Sequence, residues 1–394
     1  MHYRRAIEPE IARHLARGKS ILLLGPRQTG KTTLLGKLDA DLAVSLVSPG
    51  VRQRYERDPS LLAGEVRALP GSVNRRKRPL VTVDEVQKVP ALMDVGQELI
   101  DRREAQFVFT GSSARKLRRG HEINLLPGRV VALRLDPLMI EEHRPSTIED
   151  ALLFGGLPAI QQLRREHDKE TDLRSYVETY LEEEVRQEAL VRKVGAFGRF
   201  LELAGQESGR IVNHSKISQD VGVSAVTIGA YYEILCDCLV AERVEPITRS
   251  ATRKKLTKAN RYLLFDLGVR RLASGEGTRL HPSRMGELFE QFVGLEIVRL
   301  CRVHLPRARM KFWRDPDGPE VDWVLDHEGR FLPIEVKFTD RPTAADARHL
   351  SVFLDEYKAR CGFVICTAPR AIRLSKTVTA VPWSDMPAAL LKTI

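Results

Sequence analysis

The sequence predicts a multidomain α/β protein, and three observations indicate this fold class. The chain has 394 residues, more than a single hydrophobic core supports, so roughly two to four domains are expected. In the first third, short apolar runs alternate with helical stretches, as in a parallel sheet covered by helices. Near the C-terminus, residues 320–338 (EVDWVLDHEGRFLPIEVKF) predict two strands joined by a glycine-containing turn.

The composition is typical of a well-packed protein in a reducing compartment. Hydrophobic residues make up 43% of the chain and charged residues 29%. No apolar run approaches the roughly 20 residues that cross a bilayer, and residues 1–20 lack the pattern of a secretory signal. The five cysteines have no zinc-type spacing and are expected to be free thiols. We therefore expect a cytoplasmic protein with no membrane partner.

The net charge of +11 lies mostly in the N-terminal third, which includes the segment NRRKRP at 74–79. A basic face attracts nucleic acid or the phosphates of a ligand. A solvated loop that keeps the protein soluble explains the same segment equally well. The charge leaves both interpretations open.

Residues 1–135 are predicted to form the first domain, a parallel sheet of five strands. Each predicted strand is an apolar run, and helical stretches lie between the first four. Such runs are typical of strands that are buried on both faces. The runs are SILLLG (20–25), AVSLVS (43–48), LVTVDE (80–85), QFVFTGSS (106–113) and VVALRL (130–135).

The segment GPRQTGKTT follows the first predicted strand, precedes a helix, and matches the phosphate-loop pattern G-x-x-x-x-G-K-[ST]. Backbone N–H groups of the loop are expected to surround the β- and γ-phosphates of ATP. Lys31 would neutralise phosphate oxygens, and the Thr32 hydroxyl would bind Mg²⁺. The predicted nucleotide-binding residues here are Gly25, Pro26, Arg27, Gln28, Thr29, Gly30, Lys31, Thr32 and Thr33.

Two acids, Asp84 and Glu85, end the third predicted strand. The carboxyl ends of parallel strands face the ligand in such sheets. Asp84 is expected to hold Mg²⁺ through water, and Glu85 to act as general base toward the attacking water. Together with the loop, these acids predict hydrolysis as well as binding of ATP.

The strand order, the segment FTGSS after the fourth strand and LLPGRV before the fifth resemble ATPases of the AAA+ class. The resemblance implies that Thr110 or Ser112 senses the γ-phosphate. It also implies that Arg129 is an arginine finger that reaches into a neighbouring subunit, which requires a homo-oligomer. A local salt bridge from Arg129 to an acid is the alternative.

More narrowly, GPRQTGKTTLL, DEVQKVP, FTGSSARKL, LPGRV…LRLDPLMIEE and FGGLP resemble a family of bacterial and archaeal ATPases. Members of that family join an AAA domain to a C-terminal domain of unknown function of the DUF4143 type. The resemblance extends over essentially the whole chain. It implies an ATPase of this architecture and does not define its biological task.

Residues 136–195 are predicted to form a helical lid or linker, and residues 196–270 a winged helix. The helix from about Ser224 to Leu239 occupies the recognition position, but it has no Lys or Arg and carries Glu233 and Asp237. Direct base reading is therefore not expected from it. A basic loop is better suited to non-specific phosphate contacts, and a role in protein assembly is the alternative. The loop residues are Arg249, Arg253, Lys254, Lys255 and Lys258.

Residues 271–394 resemble a nuclease domain of the PD-(D/E)xK type, in which a helix and two strands supply acids. The matching residues are Glu290 (with Glu287 one turn earlier), Asp322, Glu335 and Lys337. The three carboxylates would bind Mg²⁺ or Mn²⁺, and Lys337 would stabilise charge on the reacting groups. Trp313 and Arg314 are expected to contact a base or backbone phosphate. Charged residues on an ordinary exposed hairpin, or a nuclease fold that only binds DNA, are the alternatives.

Two functions follow from these predictions. The first is an oligomeric, ATP-driven machine that acts on DNA or another nucleic acid, with metal-dependent nuclease activity as an open addition. The second is an ATP-dependent switch or scaffold that binds a protein partner, with an inactive nuclease-like domain.

Overall fold

The computed structural model describes residues 3–69, 78–112, 128–184, 194–250, 253, 256–316 and 318–394. Two β-sheets, each covered by helices, make up its framework. Most of the NRRKRP segment, together with Lys254 and Lys255, lies outside these ranges. No helix within them combines the length and the apolar character needed to cross a bilayer.

The first sheet is parallel and five-stranded, as the apolar runs predicted, with strand order β2-β3-β4-β1-β5. Its strands are β1 (Ser20–Leu24), β2 (Leu42–Ser45), β3 (Leu80–Asp84), β4 (Gln106–Gly111) and β5 (Val130–Arg134). The surrounding helices are α1 (Glu8–Ala16), α2 (Lys31–Leu35), α3 (Pro49–Arg57), α4 (Leu61–Ala68) and α5 (Ala91–Asp101). One apolar core lies on each face of the sheet, which explains why the strands read as continuous apolar runs.

The helices after β5 share a core with the middle of the chain. They are α6 (Ile148–Phe154), α7 (Pro158–Gln161) and α8 (Glu166–Tyr176), which continues as a π-helix over Val177–Glu184. Phe154, Leu157 and Leu181 pack in one cluster with Phe200 and Tyr232 of the next segment. The segment predicted as a lid is therefore joined to the following helices by apolar packing.

The middle of the chain contains three helices followed by a β-hairpin. The elements are α9 (Val194–Gln206), α10 (His214–Val221), α11 (Ala225–Asp237), β6 (Ala241–Pro246) and β7 (Arg261–Leu264). The side chains of Asn213 and Ser224 accept hydrogen bonds from backbone N–H groups at the starts of α10 and α11, and these caps fix where the two helices begin. The two strands are antiparallel, and helix α12 (Leu267–Ala273) follows them.

The second sheet includes this hairpin, which the sequence had placed in a separate unit. Strand β6 pairs in parallel with β8, giving eight strands in the order β12-β13-β11-β10-β9-β8-β6-β7. The C-terminal strands are β8 (Ala308–Arg314), β9 (Glu320–His327), β10 (Arg330–Val336), β11 (Gly362–Cys366), β12 (Ile372–Arg373) and β13 (Val378–Pro382). The helices are α13 (Pro282–His304), α14 (Arg348–Tyr357) and α15 (Met386–Thr393).

The β9–β10 hairpin predicted at residues 320–338 is present. Its two turn residues, Glu328 and Gly329, both have positive φ angles, 55° and 83°. A two-residue turn of this kind matches the twist of the flanking strands and fixes their register. The hairpin places Asp322 and Glu335 on neighbouring strands, which is the premise of the predicted acidic site.

A closed ring of four charged side chains, which we call the junction ring, connects the first sheet to the second. Asp136, just after β5, accepts from Arg134 at 2.9 Å and from Arg302 of α13 at 2.8 Å. Glu242 of β6 accepts from the same two arginines, from Arg134 through Oε1 and from Arg302 through Oε2. Burial alone would raise the pKa of Asp136, but Arg302 and Arg134 outweigh it and hold that pKa well below its ordinary value.

Replacing Asp136 by alanine is expected to lower the free energy of unfolding by about 3 kcal/mol, because two partly buried guanidinium groups lose a partner. Urea unfolding followed by tryptophan fluorescence measures this loss. Asp101→Ala is the matched control, since it removes the partner of Arg129 from an exposed pair; its loss should stay below about 1 kcal/mol. Equal losses in the two variants would contradict the role given to the junction ring.

Candidate functional site

The loop between β1 and α2 is shaped by backbone angles that few residues accept. Gln28 has φ 60° and Gly30 has φ 96°, both in the left-handed region. A Cβ atom added at Gly25 would lie 2.3 Å from the carbonyl oxygen of Leu135, so only glycine fits there. The loop therefore curls around the first residue of α2, Lys31.

The Lys31 side chain lies inside this loop, with only 5% of the residue exposed. Its Nζ donates to the carbonyl oxygens of Gly25 and Pro26, both at 2.8 Å. Burial lowers the pKa of Lys31 to about 8, against the opposing effects of Glu85 and Asp84. An ammonium group in this position fits a phosphate, whose negative charge would raise the pKa of Lys31 again.

Thr32 and Asp84 are brought into direct contact at the carboxyl edge of the sheet. The Thr32 hydroxyl donates to Asp84 Oδ2 at 2.8 Å, and the Thr110 hydroxyl donates to Asp84 Oδ1 at 2.5 Å. A hydroxyl and a carboxylate are the oxygen ligands that Mg²⁺ takes beside nucleotide phosphates. These residues therefore fit the predicted metal position, and Thr110 orients the carboxylate.

Glu85 has backbone angles of φ 60° and ψ 46°, an uncommon conformation for a residue with a side chain. Its carboxylate accepts from Gln87 Nε2 at 2.5 Å and from the Ser112 hydroxyl at 3.1 Å. Thr110 accepts the Glu85 backbone N–H at 3.1 Å. Gln87, part of the segment DEVQKVP, therefore holds the expected general base in place, a role that the sequence did not indicate.

Arg5 is a further residue of the site that the sequence reasoning missed. It donates to the carbonyl oxygen of Thr29 in the loop and to that of Asp136, both at 2.6 Å, and its Nε lies 3.0 Å from Glu142. On the other side of the loop, the Arg27 guanidinium lies 5.4 Å from the ring centre of Tyr180. The loop is thus tied to neighbouring elements at Thr29 and at Arg27.

Two other predicted nucleotide-site residues lie outside this hydrogen-bonded group. Arg129 immediately precedes β5, whose first residue pairs with the first residue of β1, so it lies at the amino edge of the sheet. Arg129 forms a 2.6 Å salt bridge with Asp101, and a third of its side chain is exposed. The structure thus shows the local ion pair that was the alternative to an arginine finger. Thr33 lies in α2 with its side chain exposed, away from the hydrogen bonds of Thr32.

The predicted acidic residues of the C-terminal domain lie near one another, on α13, β9 and β10. Asp322 accepts the Val336 backbone N–H at 2.8 Å, and Glu335 accepts from Lys337 at 2.7 Å. Burial, followed by repulsion from Asp322, raises the pKa of both Glu290 and Glu335 to about 8. Burial also raises the pKa of Asp322 itself. We call Glu290, Asp322 and Glu335 the acidic cluster.

The acidic cluster is not arranged as the predicted metal site. In the part of the chain that the structure describes, no three Asp, Glu, His or Cys side chains are grouped to hold a metal ion. Glu290 instead pairs with Arg261 at 2.5 Å, while Glu287 pairs with Arg210 at 2.9 Å. A guanidinium therefore faces Glu290 where the prediction placed a metal.

The structure corrects two predicted nucleic-acid contacts. Trp313 is fully buried and packs edge-on against Phe353, so it cannot stack on a base. Arg253 is paired with both Asp315 and Glu356 and is not free for phosphate. Exposed positions in the same region are Arg249 and Lys258, together with the partly exposed Arg314, 3.2 Å from Glu320.

Three family models match consecutive parts of the chain. Residues 17–143 match a model described as AAA domain. Residues 146–279 match a domain of unknown function, DUF8612, and residues 285–386 match another, DUF4143. The AAA match contains the predicted nucleotide-site residues from Gly25 to Ser112, and the DUF4143 match contains the acidic cluster.

Two curated relatives match nearly the whole chain. An uncharacterized protein of Mycobacterium bovis and one of Mycobacterium tuberculosis are each 27% identical over 384 residues, covering 96% of this chain and 83% of theirs.

Two solved structures align with parts of the chain at low similarity. PCH-2 of C. elegans covers 57% of this chain and 64% of its own at 15% identity, with a TM-score of 0.27. Domain III of the Thermotoga maritima replication initiation protein DnaA covers 54% and 88% at 17% identity, with a TM-score of 0.26. Scores this low carry no functional conclusion.

Affinity for a non-hydrolysable ATP analogue is expected to fall above about pH 8, by up to about tenfold per pH unit. The reason is that Lys31, neutral above its pKa of about 8, must take up a proton to bind phosphate. Titration calorimetry from pH 7 to 10 measures this, and Lys31→Arg is the control because its charge does not titrate there. An equal fall of analogue affinity with pH in the natural protein and in Lys31→Arg would contradict the role of Lys31 as the cation that binds phosphate.

Proposed function

We propose that this protein, an AAA-domain protein with a C-terminal DUF4143 domain, binds ATP with Mg²⁺ and hydrolyses it. One observation carries the proposal. Thr32, Asp84, Thr110 and Glu85 form an unbroken chain of hydrogen bonds, beside the buried Lys31. The loop and the residues proposed to hold the metal and to act as base thus lie together at the carboxyl edge of the sheet.

Each residue has a separate task in this proposal. Backbone N–H groups of the loop and Lys31 hold the β- and γ-phosphates. Thr32 and Asp84 hold Mg²⁺, which neutralises phosphate charge when bound. Glu85, oriented by Gln87 and Ser112, accepts a proton from the attacking water.

Glu85→Gln is expected to keep ATP binding and lower the hydrolysis rate by about 10²- to 10⁴-fold, because it removes the base without removing phosphate contacts. Lys31→Ala should instead weaken binding itself. Phosphate release and analogue affinity, measured on both variants, separate the two effects. Glu56→Gln, an exposed position on α3, is the matched control, and a Glu85→Gln enzyme that hydrolyses ATP as fast as this control would refute the assignment.

We further propose that the protein associates with nucleic acid through the middle of the chain. The order α9, α10, α11, β6, β7 is that expected of a winged helix, and the bridge between Ile211 and Arg261 adds a third strand position to the hairpin. Arg249 and Lys258 are exposed beside this hairpin, and the chain carries a net charge of +11. These features support phosphate contacts, not base reading.

The alternative, an ATP-dependent switch that binds a protein partner, is favoured by one observation. Arg261 pairs with Glu290 in the acidic cluster. We therefore do not propose metal-dependent cleavage by Glu290, Asp322, Glu335 and Lys337 with Mg²⁺ or Mn²⁺ while Arg261 holds this position. Assembly into a homo-oligomer is compatible with both functions. Arg129 would then have to exchange Asp101 for a neighbour's nucleotide.

DNA is expected to raise the ATP hydrolysis rate several-fold, and added salt should reduce the effect because the contacts are to phosphates. The measurement is the rate with single-stranded, duplex and branched DNA. The Arg249→Glu/Lys258→Glu double variant should lose most of the stimulation, whereas the exposed Lys392→Glu should keep it. A rate unaffected by all three DNAs would favour the protein-partner alternative.

A further inference from the structure

Arg261 is the first residue of β7 and points from the hairpin into the acidic cluster. Its Nη1 donates to Glu290 Oε1 at 2.5 Å and lies 3.5 Å from the Asp322 carbonyl oxygen. The side chain is only 6% exposed. The middle of the chain thus supplies a buried cation to a cluster that belongs to the C-terminal domain.

Aromatic rings complete the surroundings of this guanidinium. Its central carbon lies 4.7 Å from the ring centre of Phe312 and 5.2 Å from that of Trp323. Ring faces attract a cation, more strongly when water is excluded. The Trp323 Nε1–H donates to the Glu290 backbone carbonyl at 3.1 Å, which fixes the ring beside the carboxylate. Arg261 therefore lies in a formed cation site.

The cluster still has unsatisfied polar atoms. Within the described part of the chain, Glu335 Oε2 and both polar atoms of the Gln291 amide are buried without a hydrogen-bond partner. Gln291 is 1% exposed and lines a pocket of about 310 Å³ together with Glu290, Asp322 and Arg261. Asp322 and Glu335 are buried, and Glu290 is partly exposed. The two cations beside them, Arg261 and Lys337, pair with Glu290 and Glu335.

We propose that Arg261 is the resident cation of the acidic cluster and excludes a divalent cation from it. Carboxylate and amide oxygens are ligands for Mg²⁺ and Mn²⁺, and a guanidinium bound to Glu290 removes one ligand and adds like charge. Removing the guanidinium leaves Glu290, Asp322 and Gln291 lining the pocket without the cation that pairs with Glu290. The proposal is independent of the nucleotide site, which lies in the first sheet.

The test is Mn²⁺ binding to the nucleotide-free chain, by titration calorimetry and by the shift in melting temperature. Arg261→Met, which keeps an apolar stem against the two rings, should bind Mn²⁺ at least about tenfold more tightly than the natural chain. Bound Mn²⁺ should also raise its melting temperature. Adding Glu335→Gln to Arg261→Met should abolish the gain.

Arg210→Met is the matched control, because Arg210 lines the same pocket but pairs with Glu287; it should show no gain. ATP hydrolysis measured on every variant reports separately on the nucleotide site. If Arg261→Met does not fold, the second variant is Arg261→Gln, whose side chain keeps a polar end without a charge. A folded Arg261 variant that binds Mn²⁺ no better than Arg210→Met overturns the proposal, as does equally tight binding by the natural chain.

Discussion

The relative placement of the two sheets depends on the junction ring of Asp136, Arg134, Glu242 and Arg302. Each of the four carboxylate oxygens accepts from one arginine. Burying charges away from water costs several kcal/mol per ion unless partners meet at the right distance. The end of β5, strand β6 and helix α13 must therefore keep one arrangement, because any other leaves an unpaired buried charge.

The junction ring also lies between the nucleotide loop and the acidic cluster. Arg5 bonds both the nucleotide loop, at Thr29, and the Asp136 backbone. Across the ring, Glu242 pairs in register with Leu263 of β7, the strand that begins with Arg261. Contacts are thus continuous from the nucleotide loop to the acidic cluster. These contacts place both sites within one framework. Coupling between the two sites would also require two states of the protein that differ in these contacts.

The parts of the structure that the sequence predicted are those that depend on local residue patterns. Apolar runs predicted the parallel sheet, the glycine-rich segment predicted the loop, and the turn predicted the β9–β10 hairpin. The misses are contacts between distant segments, such as Arg5 with Asp136 or Arg261 with Glu290. Likewise, strand alternation does not tell which face is covered, so Trp313 was expected at a surface although helix α14 buries it. Residue spacing carries no signal for such long-range packing.

The junction ring and the acidic cluster differ in how fully their polar atoms are paired. This difference separates the structural role of the ring from the binding role proposed for the cluster. In the junction ring every carboxylate oxygen has an arginine partner, so the ring has no capacity for another cation. In the acidic cluster Glu335 Oε2 lacks a partner among the described residues, and repulsion from Asp322 helps to raise the pKa of both glutamates. Buried repulsion costs stability that a purely structural cluster would avoid by using neutral residues. The acidic cluster therefore has the electrostatics of a binding site, with Arg261 as its occupant.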